Sequence, residues 1–394
     1  MMGTHNFDEI VKRYNTESRK WDNIGEVFGD TSVLPLWIAD MDFASPPAVL
    51  KAIQAKAAHG VFGYPARRTS LHESVMRWAK VRHHWTLESE WISTAPGVVS
   101  SISAAVLALT EPGDSIIIQP PVYPPFFSCV RNNGRKIVEN ALKNNHGYYE
   151  FDFADLEAKI DDTVRMIVLC SPHNPVGRVW REEELCRLAD ICLKHQIIIL
   201  ADEIHHDLVF SGHKHTPLAS LSPEIARATV TFMAASKTFN VAGLNTSFII
   251  TPDPVKRKKI NKLLHNLEIG KTTIFGGAAA EAAYTDGEEW LEELLVYLED
   301  NADYIVSYVE QHLPGVKIVK PEGTYLAWLD FRDIFSQADK LSNFLTKEAK
   351  VGLNDGLSFG CQGEGFARLN FGCPRSIIQE ALQRIERAIK NLQR

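Results

Sequence analysis

Five short, largely apolar runs in the middle of the chain alternate with stretches whose apolar residues recur at helical spacing. The runs lie at residues 116–118, 166–169, 197–200, 230–233 and 248–250. Runs of this kind predict strands that are covered on both faces. Because strand and helix patterns alternate, the sequence predicts an α/β fold with a mainly parallel sheet flanked by helices.

One helix between two of these strands is especially clear. Leu185, Leu188, Ala189 and Cys192 lie at positions i, i+3, i+4 and i+7, and three acidic residues, 182–184, precede them. Acidic side chains favour a helix N-terminus, where the free N–H groups carry partial positive charge. The pattern therefore predicts a helix that begins near residue 182.

The pattern changes after about residue 285. A long helical stretch over residues 290–313 is followed by strand-like runs at 326–329 and 366–370, with further helical sequence around them. The first 45 residues show little regular pattern. The sequence thus predicts a large α/β domain over residues 48–287 and a smaller α+β domain made of residues 1–47 together with 288–394.

Composition narrows the class of protein. The 394 residues carry a net charge of −7, which argues against binding to nucleic acid or to anionic membranes. The first residues lack the basic and apolar regions of a signal peptide, and no stretch approaches the ~20 apolar residues needed to span a bilayer. The six cysteines form no C-x-x-C pair. We expect a cytoplasmic protein with buried free thiols and no nucleic-acid or membrane partner.

Two polar residues follow predicted strands where parallel sheets usually bind ligands. Lys237 comes directly after the strand at 230–233, and a lysine placed there among small residues can form an imine with an aldehyde. Asp202 ends the strand at 197–200, where a carboxylate is costly to bury without a cationic partner. Taken singly, either residue could instead be a surface side chain or a helix cap.

Two further segments suggest how a phosphorylated cofactor could be held. Gly97 opens an apolar helix, and free N–H groups at a helix N-terminus form a ready phosphate site. The segment 171–177, Ser-Pro-His-Asn-Pro-Val-Gly, predicts a tight loop that presents Asn174 as a hydrogen-bond donor. A cluster formed by His205, His206, His213 and His215 lacks a recognisable ligand spacing, so no metal site is predicted.

These features belong to an ordered set of segments that extends over nearly the whole chain. The segments are PLWIADMDF (35–43), GYP (63–65), PVY (121–123), SPHNPVG (171–177), DEIH (202–205), SKTFN (236–240), GTYL (323–326) and RLN (368–370). The set resembles the fold-type I enzymes that depend on pyridoxal 5′-phosphate (PLP), the aspartate aminotransferase superfamily. It resembles most closely their C–S lyase branch of cystathionine β-lyases, cystalysin and the maltose-regulon modulator. The resemblance implies a seven-stranded sheet and PLP as the cofactor.

The resemblance also implies a role for each matching residue. Lys237 is similar to the catalytic lysine that forms the Schiff base, and Asp202 to the partner of the pyridine nitrogen. Asn174 is similar to the residue that hydrogen-bonds the phenolic oxygen, and Tyr123 to the ring stacked on the cofactor. His205 occupies a cofactor-binding position at which aminotransferases tend to have tyrosine.

The remaining matches concern the phosphate and the substrate. Phosphate-binding positions are matched by Gly97, Val98, Val99 and Ser236. Arg368 is similar to the residue that binds the substrate α-carboxylate, a task suited to a planar bidentate donor. Ala39 matches a substrate-binding position. Tyr64 resembles a tyrosine that reaches the cofactor and substrate of the neighbouring subunit, which implies a homodimer with shared active sites.

The expected reaction is the α,β-elimination of cystathionine or a related S-substituted cysteine to thiol, pyruvate and ammonia. Either Lys237 or one of two tyrosines, Tyr64 and Tyr123, protonates the leaving sulfur. Many aminotransferases have an arginine eight residues after the lysine, where this chain has Asn245. Together with His205, this departure favours a lyase. The alternatives are an aminotransferase and a lyase with a second, regulatory binding role.

Overall fold

A seven-stranded sheet lies at the centre of the computed structural model, which describes residues 4–66, 68–335 and 338–392. In spatial order the strands are Ile92–Ala95, Ser247–Ile250, Thr229–Met233, Ile198–Asp202, Val164–Cys170, Ser115–Ile118 and Lys136–Glu139. Ser247–Ile250 is antiparallel to both neighbours, and the other neighbouring pairs are parallel. The predicted mainly parallel sheet is therefore confirmed.

Both faces of this sheet are buried, as the apolar runs predict. Ile116 and Ile118 belong to one apolar cluster, whereas Ile117 belongs to another on the opposite face. Successive side chains of a strand point to opposite faces, so a strand covered on both sides needs apolar residues throughout. Each of the five predicted runs lies at least largely within a strand.

Helices cover the sheet and make up much of the remaining chain. Their bounds are Arg19–Asp22, Ile24–Phe28, Pro47–His59, Thr69–His83, Val98–Leu109, Pro125–Arg131, Phe153–Lys159, Glu182–Lys194, Pro223–Ala228, Ala235–Thr238, Pro254–Asn266, Ile274–Asp286, Glu288–His312, Ala338–Asn343 and Arg375–Leu392. Glu182–Lys194 begins where the acidic residues predict. Its N-terminus is capped by Glu184, whose carboxylate accepts a hydrogen bond from the backbone N–H of Arg181 at 2.9 Å.

A smaller antiparallel sheet follows in the C-terminal third of the chain. Its strands are Leu326–Asp330, Phe366–Asn370 and Asn354–Asp355, in that spatial order. The N-terminal strand Leu34–Pro35 pairs in parallel with Val351–Gly352, so the start of the chain joins this part of the fold. A hairpin of Lys143–Asn145 and Tyr148–Glu150 completes the strands of the described residues.

The environment of the cysteines differs in part from the expectation. Four thiols are buried, but Cys186 is half-buried and Cys361 is exposed, so the prediction of buried thiols is wrong for Cys361. It lies at the start of the short 3₁₀ helix Cys361–Gly363, in the connection between the strands Asn354–Asp355 and Phe366–Asn370. Within the described ranges, we find no helix with the length and apolar character to cross a membrane.

Candidate active site

The carboxyl ends of three neighbouring strands open into one cavity of about 420 Å³. Val164–Cys170 and Ile198–Asp202 end at its wall, and Thr229–Met233 leads into the short helix that bears Lys237. Ligands bind at this edge of parallel sheets because the loops that leave it diverge. The lining residues are Ala39, Pro96, Gly97, Val98, Val99, Ser100, Tyr123, Cys170, Asn174, Asp202, Ile204, His205, Ser236, Lys237, Ala242, Asn245 and Thr246.

Lys237 places its amine inside this cavity. Nζ donates a hydrogen bond to the carbonyl oxygen of Ala39 at 2.6 Å. The side chain keeps some surface open toward the cavity and is otherwise enclosed by protein, so burial lowers its pKa from 10.5 to about 8, against the opposing charge of Asp40. The interpretation of Lys237 as a solvated loop lysine is excluded, and its amine is available as a nucleophile and base near neutral pH.

Asp202 is a buried carboxylate without a cation. Its side chain accepts a hydrogen bond from the backbone N–H of Ile204 at 3.1 Å, and it forms no ion pair within 4.0 Å among the residues that the structure describes. Burial raises the pKa of Asp202 to about 7, although the Ile204 hydrogen bond and the charge of Lys237 oppose the rise. A ligand with a protonated ring nitrogen would supply the missing charge.

The helix Val98–Leu109 points its N-terminus at the cavity. Its first intrahelical hydrogen bond runs from the Ser101 N–H to the Gly97 carbonyl, so the N–H groups of Val98, Val99 and Ser100 have no acceptor within the helix. A Cβ atom on Gly97 would meet only the Ser100 Oγ, at 3.9 Å. Packing within the chain thus leaves room beside Gly97 for an anionic group.

Arg368 lies behind the cavity and is linked to it through Asn174. Its Nη1 donates to the Asn174 Oδ1 at 3.0 Å, and its Nη2 donates to the carbonyl oxygen of Trp37 and to Asn354 Oδ1, each at 2.6 Å. Because the side-chain oxygen of Asn174 is occupied, its amide nitrogen is the group left to donate to a ligand.

The guanidinium of Arg368 is charged, buried and uncompensated. Its Nε atom has no hydrogen-bond partner, and no carboxylate lies within 4.0 Å of the group among the residues described. Burial lowers its pKa to about 10, so it stays cationic at neutral pH. A buried cation in this condition favours a substrate that brings its own carboxylate.

Residues 39–43 of the N-terminal segment lie against the site, and the hydrogen bonds that hold them there were not predicted from the sequence. The Ala39 carbonyl that meets Lys237 also accepts a hydrogen bond from the Tyr325 hydroxyl at 2.9 Å. Asn240 holds the same segment, since its amide donates to the carbonyls of Met41 and Phe43. Asn240 and Tyr325 lie within the quoted SKTFN and GTYL segments, which was the available signal for them.

Ion pairs with two residues nearer the N-terminus also hold this segment in place. Lys20, which is fully buried, pairs with Asp42 at 2.7 Å, and Arg13 bridges Asp42 and Asp40 at 2.6 and 2.8 Å. No sequence pattern pointed to Arg13 or Lys20, because their partners lie more than twenty residues along the chain.

Tyr123 and His205 complete the walls. Burial raises the pKa of the Tyr123 phenol, and the charge of Asp202 adds to this effect, so the hydroxyl keeps its proton at neutral pH. Burial and the nearby Lys237 lower the pKa of His205 well below its usual range. Its ring is therefore neutral, and it packs edge-on against Tyr325 with 5.8 Å between ring centroids.

Tyr64 lies outside this cavity within its own chain. It belongs to the irregular segment 61–66 between the helices Pro47–His59 and Thr69–His83, and its side chain is 101% exposed. The structure thus brings together all the predicted site residues except Tyr64. Ten of these residues line the cavity itself, and Arg368 reaches it through Asn174.

The histidines group differently from their order in sequence. His205 faces the cavity and His213 is exposed, whereas His206 and His215 lie near His83, with ring centroids 5.0 and 5.6 Å from it. Ligand atoms of His83, His206 and Asp207 all lie within 4.8 Å of one another. The Asp207 oxygens already accept hydrogen bonds from three side chains, so this cluster is organised by hydrogen bonding.

The chemistry of this donor set fits PLP. An amine is present for the aldehyde, an unpaired carboxylate for the ring nitrogen, free N–H groups for the phosphate and an amide for the phenolic oxygen. The chain belongs to the class I and II aminotransferase family, whose model, "Aminotransferase class I and II", matches residues 31–385.

The chain is also similar to individual proteins of known name over nearly its whole length. It is 45% identical over 385 residues to cystathionine beta-lyase PatB of Bacillus subtilis, covering 98% of this chain and 100% of the relative. It is 31% identical to the protein MalY of Escherichia coli, covering 98% of each chain. The crystal structure of cystalysin from Treponema denticola, which contains PLP, superposes with a TM-score of 0.96 at 36% identity, covering 98% of this chain and 99% of that one.

Proposed function

We propose that the protein is a PLP-dependent carbon–sulfur β-lyase. It would convert cystathionine or a related S-substituted cysteine, with water, into a thiol, pyruvate and ammonia. The observation that carries the proposal is the buried carboxylate of Asp202, which has no cation of its own and lines the same cavity as the Lys237 amine. The 45% identity to a cystathionine β-lyase over the full chain supports the lyase assignment.

Each part of the substrate has a matching group in the chain. Arg368 would bind the α-carboxylate, since it is the uncompensated cation next to the cavity. Bound PLP supplies an aldehyde that reacts with amines and a ring that accepts electrons from a bond broken at Cα. Asp202 would keep the ring nitrogen protonated, and Asn174 would donate to the phenolic oxygen.

Proton transfer falls to Lys237 and Tyr123. The depressed pKa of Lys237, about 8, leaves its amine able to accept the Cα proton near neutral pH. The sulfur that leaves Cβ must also be protonated. Tyr123 lines the cavity with its phenol protonated, so it is one candidate donor to the sulfur; Lys237 after proton uptake is another, and Tyr64 of a neighbouring subunit is the third.

Two residues favour elimination over transamination. Asn245, at the position of an arginine in many aminotransferases, lies exposed at the mouth of the cavity, and His205 is neutral where aminotransferases tend to have tyrosine. The test is a panel of S-substituted cysteines, with pyruvate and thiol measured with and without an added keto acid. Pyruvate release without a keto acid is the expected result. A strict requirement for the keto acid would assign the protein to the aminotransferases.

We also propose that the active enzyme is a homodimer in which Tyr64 serves the partner's cavity. Tyr64 is fully exposed, and Val61 and Phe62 beside it are 68% and 59% exposed, an apolar segment that a second copy would cover. A cavity of about 470 Å³ lies at the base of the same segment, next to Pro65 and Arg68. Both features support an interface at this place.

The dimer is tested by mixing two inactive variants, Tyr64→Ala and Lys237→Ala, under conditions that let subunits exchange. One site of each mixed dimer would combine an intact Lys237 with an intact Tyr64, so part of the activity should return. Mixed dimers that remain inactive, or a fully active monomer, would show that Tyr64 does not act across an interface.

The division into two domains is proposed on the position of the sheets. All seven strands of the central sheet fall within residues 48–287, and the three-stranded sheet falls within residues 288–394. The pairing of Leu34–Pro35 with Val351–Gly352 supports the assignment of the N-terminal residues to the smaller domain.

A further inference from the structure

Another buried carboxylate, Asp207, lies outside the cavity five residues after Asp202. Its side chain is fully buried. Oδ1 accepts hydrogen bonds from Trp78 Nε1 at 3.0 Å and His83 Nε2 at 2.8 Å, and Oδ2 accepts one from Thr238 Oγ1 at 2.8 Å. None of these residues lines the cavity, so the proposed chemistry does not use them.

These three hydrogen bonds join separate elements of the fold. Asp207 follows the strand that ends in Asp202, and Thr238 directly follows Lys237 in the helix Ala235–Thr238. Trp78 and His83 belong to the helix Thr69–His83, which continues from the segment that carries Tyr64. A four-residue helix cannot hold its own geometry, because helix formation needs a longer run to offset nucleation.

The charges around Asp207 explain why it remains ionised. His206 Nε2 lies 3.1 Å from Oδ2 and Arg82 Nε lies 3.8 Å from Oδ1. Burial alone would raise the pKa of Asp207, but the His206 charge and the hydrogen bonds hold it well below its usual range. Burial keeps the neighbouring His83 neutral, with its pKa lowered to about 4. An ionised carboxylate accepts stronger hydrogen bonds than a neutral amide does.

We propose that Asp207 is a positioning residue, which lies in the turn after the strand of Asp202 and, by binding Thr238, holds Lys237 at a fixed place relative to Asp202. The proposal rests on the proposed function, since it concerns the placement of the amine against the cofactor. Small displacements of a reacting group can cost on the order of 10²-fold in rate, so a hydrogen bond behind the site can affect the reaction.

The test compares Thr238→Val, which removes one hydrogen bond to Asp207, with Thr238→Ser, which keeps it. We expect Thr238→Val to lower kcat roughly tenfold with little change in KM, and Thr238→Ser to stay close to the wild type. The pH midpoint of the visible absorbance of bound PLP should shift by about half a unit or more in Thr238→Val, because the surroundings of Lys237 change. Asp207→Asn should act in the same direction and more strongly.

The matched control is Asn301→Ala. Asn301 is fully buried, donates hydrogen bonds to the carbonyls of Phe371 and Cys373, and does not line the cavity. Its loss should lower the Tm and leave the midpoint and kcat unchanged. If Thr238→Val behaves like this control, or if Thr238→Ser is impaired as much as Thr238→Val, Asp207 has no positioning role. A wild-type protein that binds PLP but releases no thiol would refute the proposed function and leave the absorbance comparison valid.

Discussion

Replacing Asp202 with asparagine separates two effects of this carboxylate: the stability lost by burying its charge, and its proposed role as partner of the PLP ring nitrogen. The side chains are nearly the same size, and asparagine can still accept the hydrogen bond from the Ile204 N–H. What is removed is a negative charge that is 3% exposed and that no cation of the described chain neutralises. Without PLP, the variant should therefore be more stable than the wild type at neutral and alkaline pH.

The size of this stability difference and its pH dependence follow from the pKa of Asp202. The folded-state value of about 7, against an ordinary 3.8, corresponds to roughly 4 kcal/mol of destabilisation once the group is ionised. Because the folded-state pKa is the higher one, the cost is absent below pH 3.8, grows as the pH rises and is complete above about pH 7. Leaving the asparagine amide hydrogens without a good acceptor costs about 1–2 kcal/mol. The net gain is then roughly 2–3 kcal/mol.

The assay is thermal unfolding of the cofactor-free proteins at equal concentration. A gain of this size should raise the Tm by about 3 °C at pH 8 and by about 1 °C or less at pH 5. With PLP bound, the order should reverse, since the wild-type carboxylate then has a cationic partner. A cofactor-free variant that melts at or below the wild type at pH 8, or a difference that does not grow with pH, would refute the reasoning.

Three further predictions concern other parts of the site. Arg368→Lys should raise the KM for amino-acid substrates roughly 10- to 100-fold, because a point charge replaces a bidentate donor; an amine without the carboxylate is the control. Lys20→Met should lower the Tm because it breaks the buried pair with Asp42. The loss of stability should stay below the roughly 3–5 kcal/mol typical of broken buried pairs, since Arg13 still neutralises Asp42. Adding Asp42→Asn should restore part of the lost stability. Loading of the cofactor-free protein with PLP should accelerate as the pH rises to about 8 and then level off, because only the neutral Lys237 amine reacts; a rate that is flat from pH 6 to 9 would contradict this.

Sequence patterns predicted the inner strands of the sheet but not its edges. The five inner strands are apolar on both faces, and each of them was visible as a run. Ile92–Ala95 and Lys136–Glu139 are the two edge strands, and both contain polar residues. An edge strand is less covered and often carries polar side chains, so the criterion that finds inner strands fails there.

The sequence by itself determined which chemistry is available and where it collects. Lys237, Asp202 and Asn174 each follow a predicted strand, and the carboxyl ends of parallel strands meet at one edge of the sheet. Their meeting in one cavity therefore follows from local patterns and the topology that these imply. The motifs around them add the match to a family.

Only the tertiary structure decided how these groups are held and charged. The hydrogen bond from Lys237 to Ala39 joins residues 198 positions apart in sequence, and that from Arg368 to Asn174 joins residues 194 positions apart. The unpaired state of Asp202, the lowered pKa of Lys237 and the exposure of Tyr64 depend on the residues packed around each group. Burial and charge are properties of that packing, and residues distant in sequence supply it, so no local pattern records them.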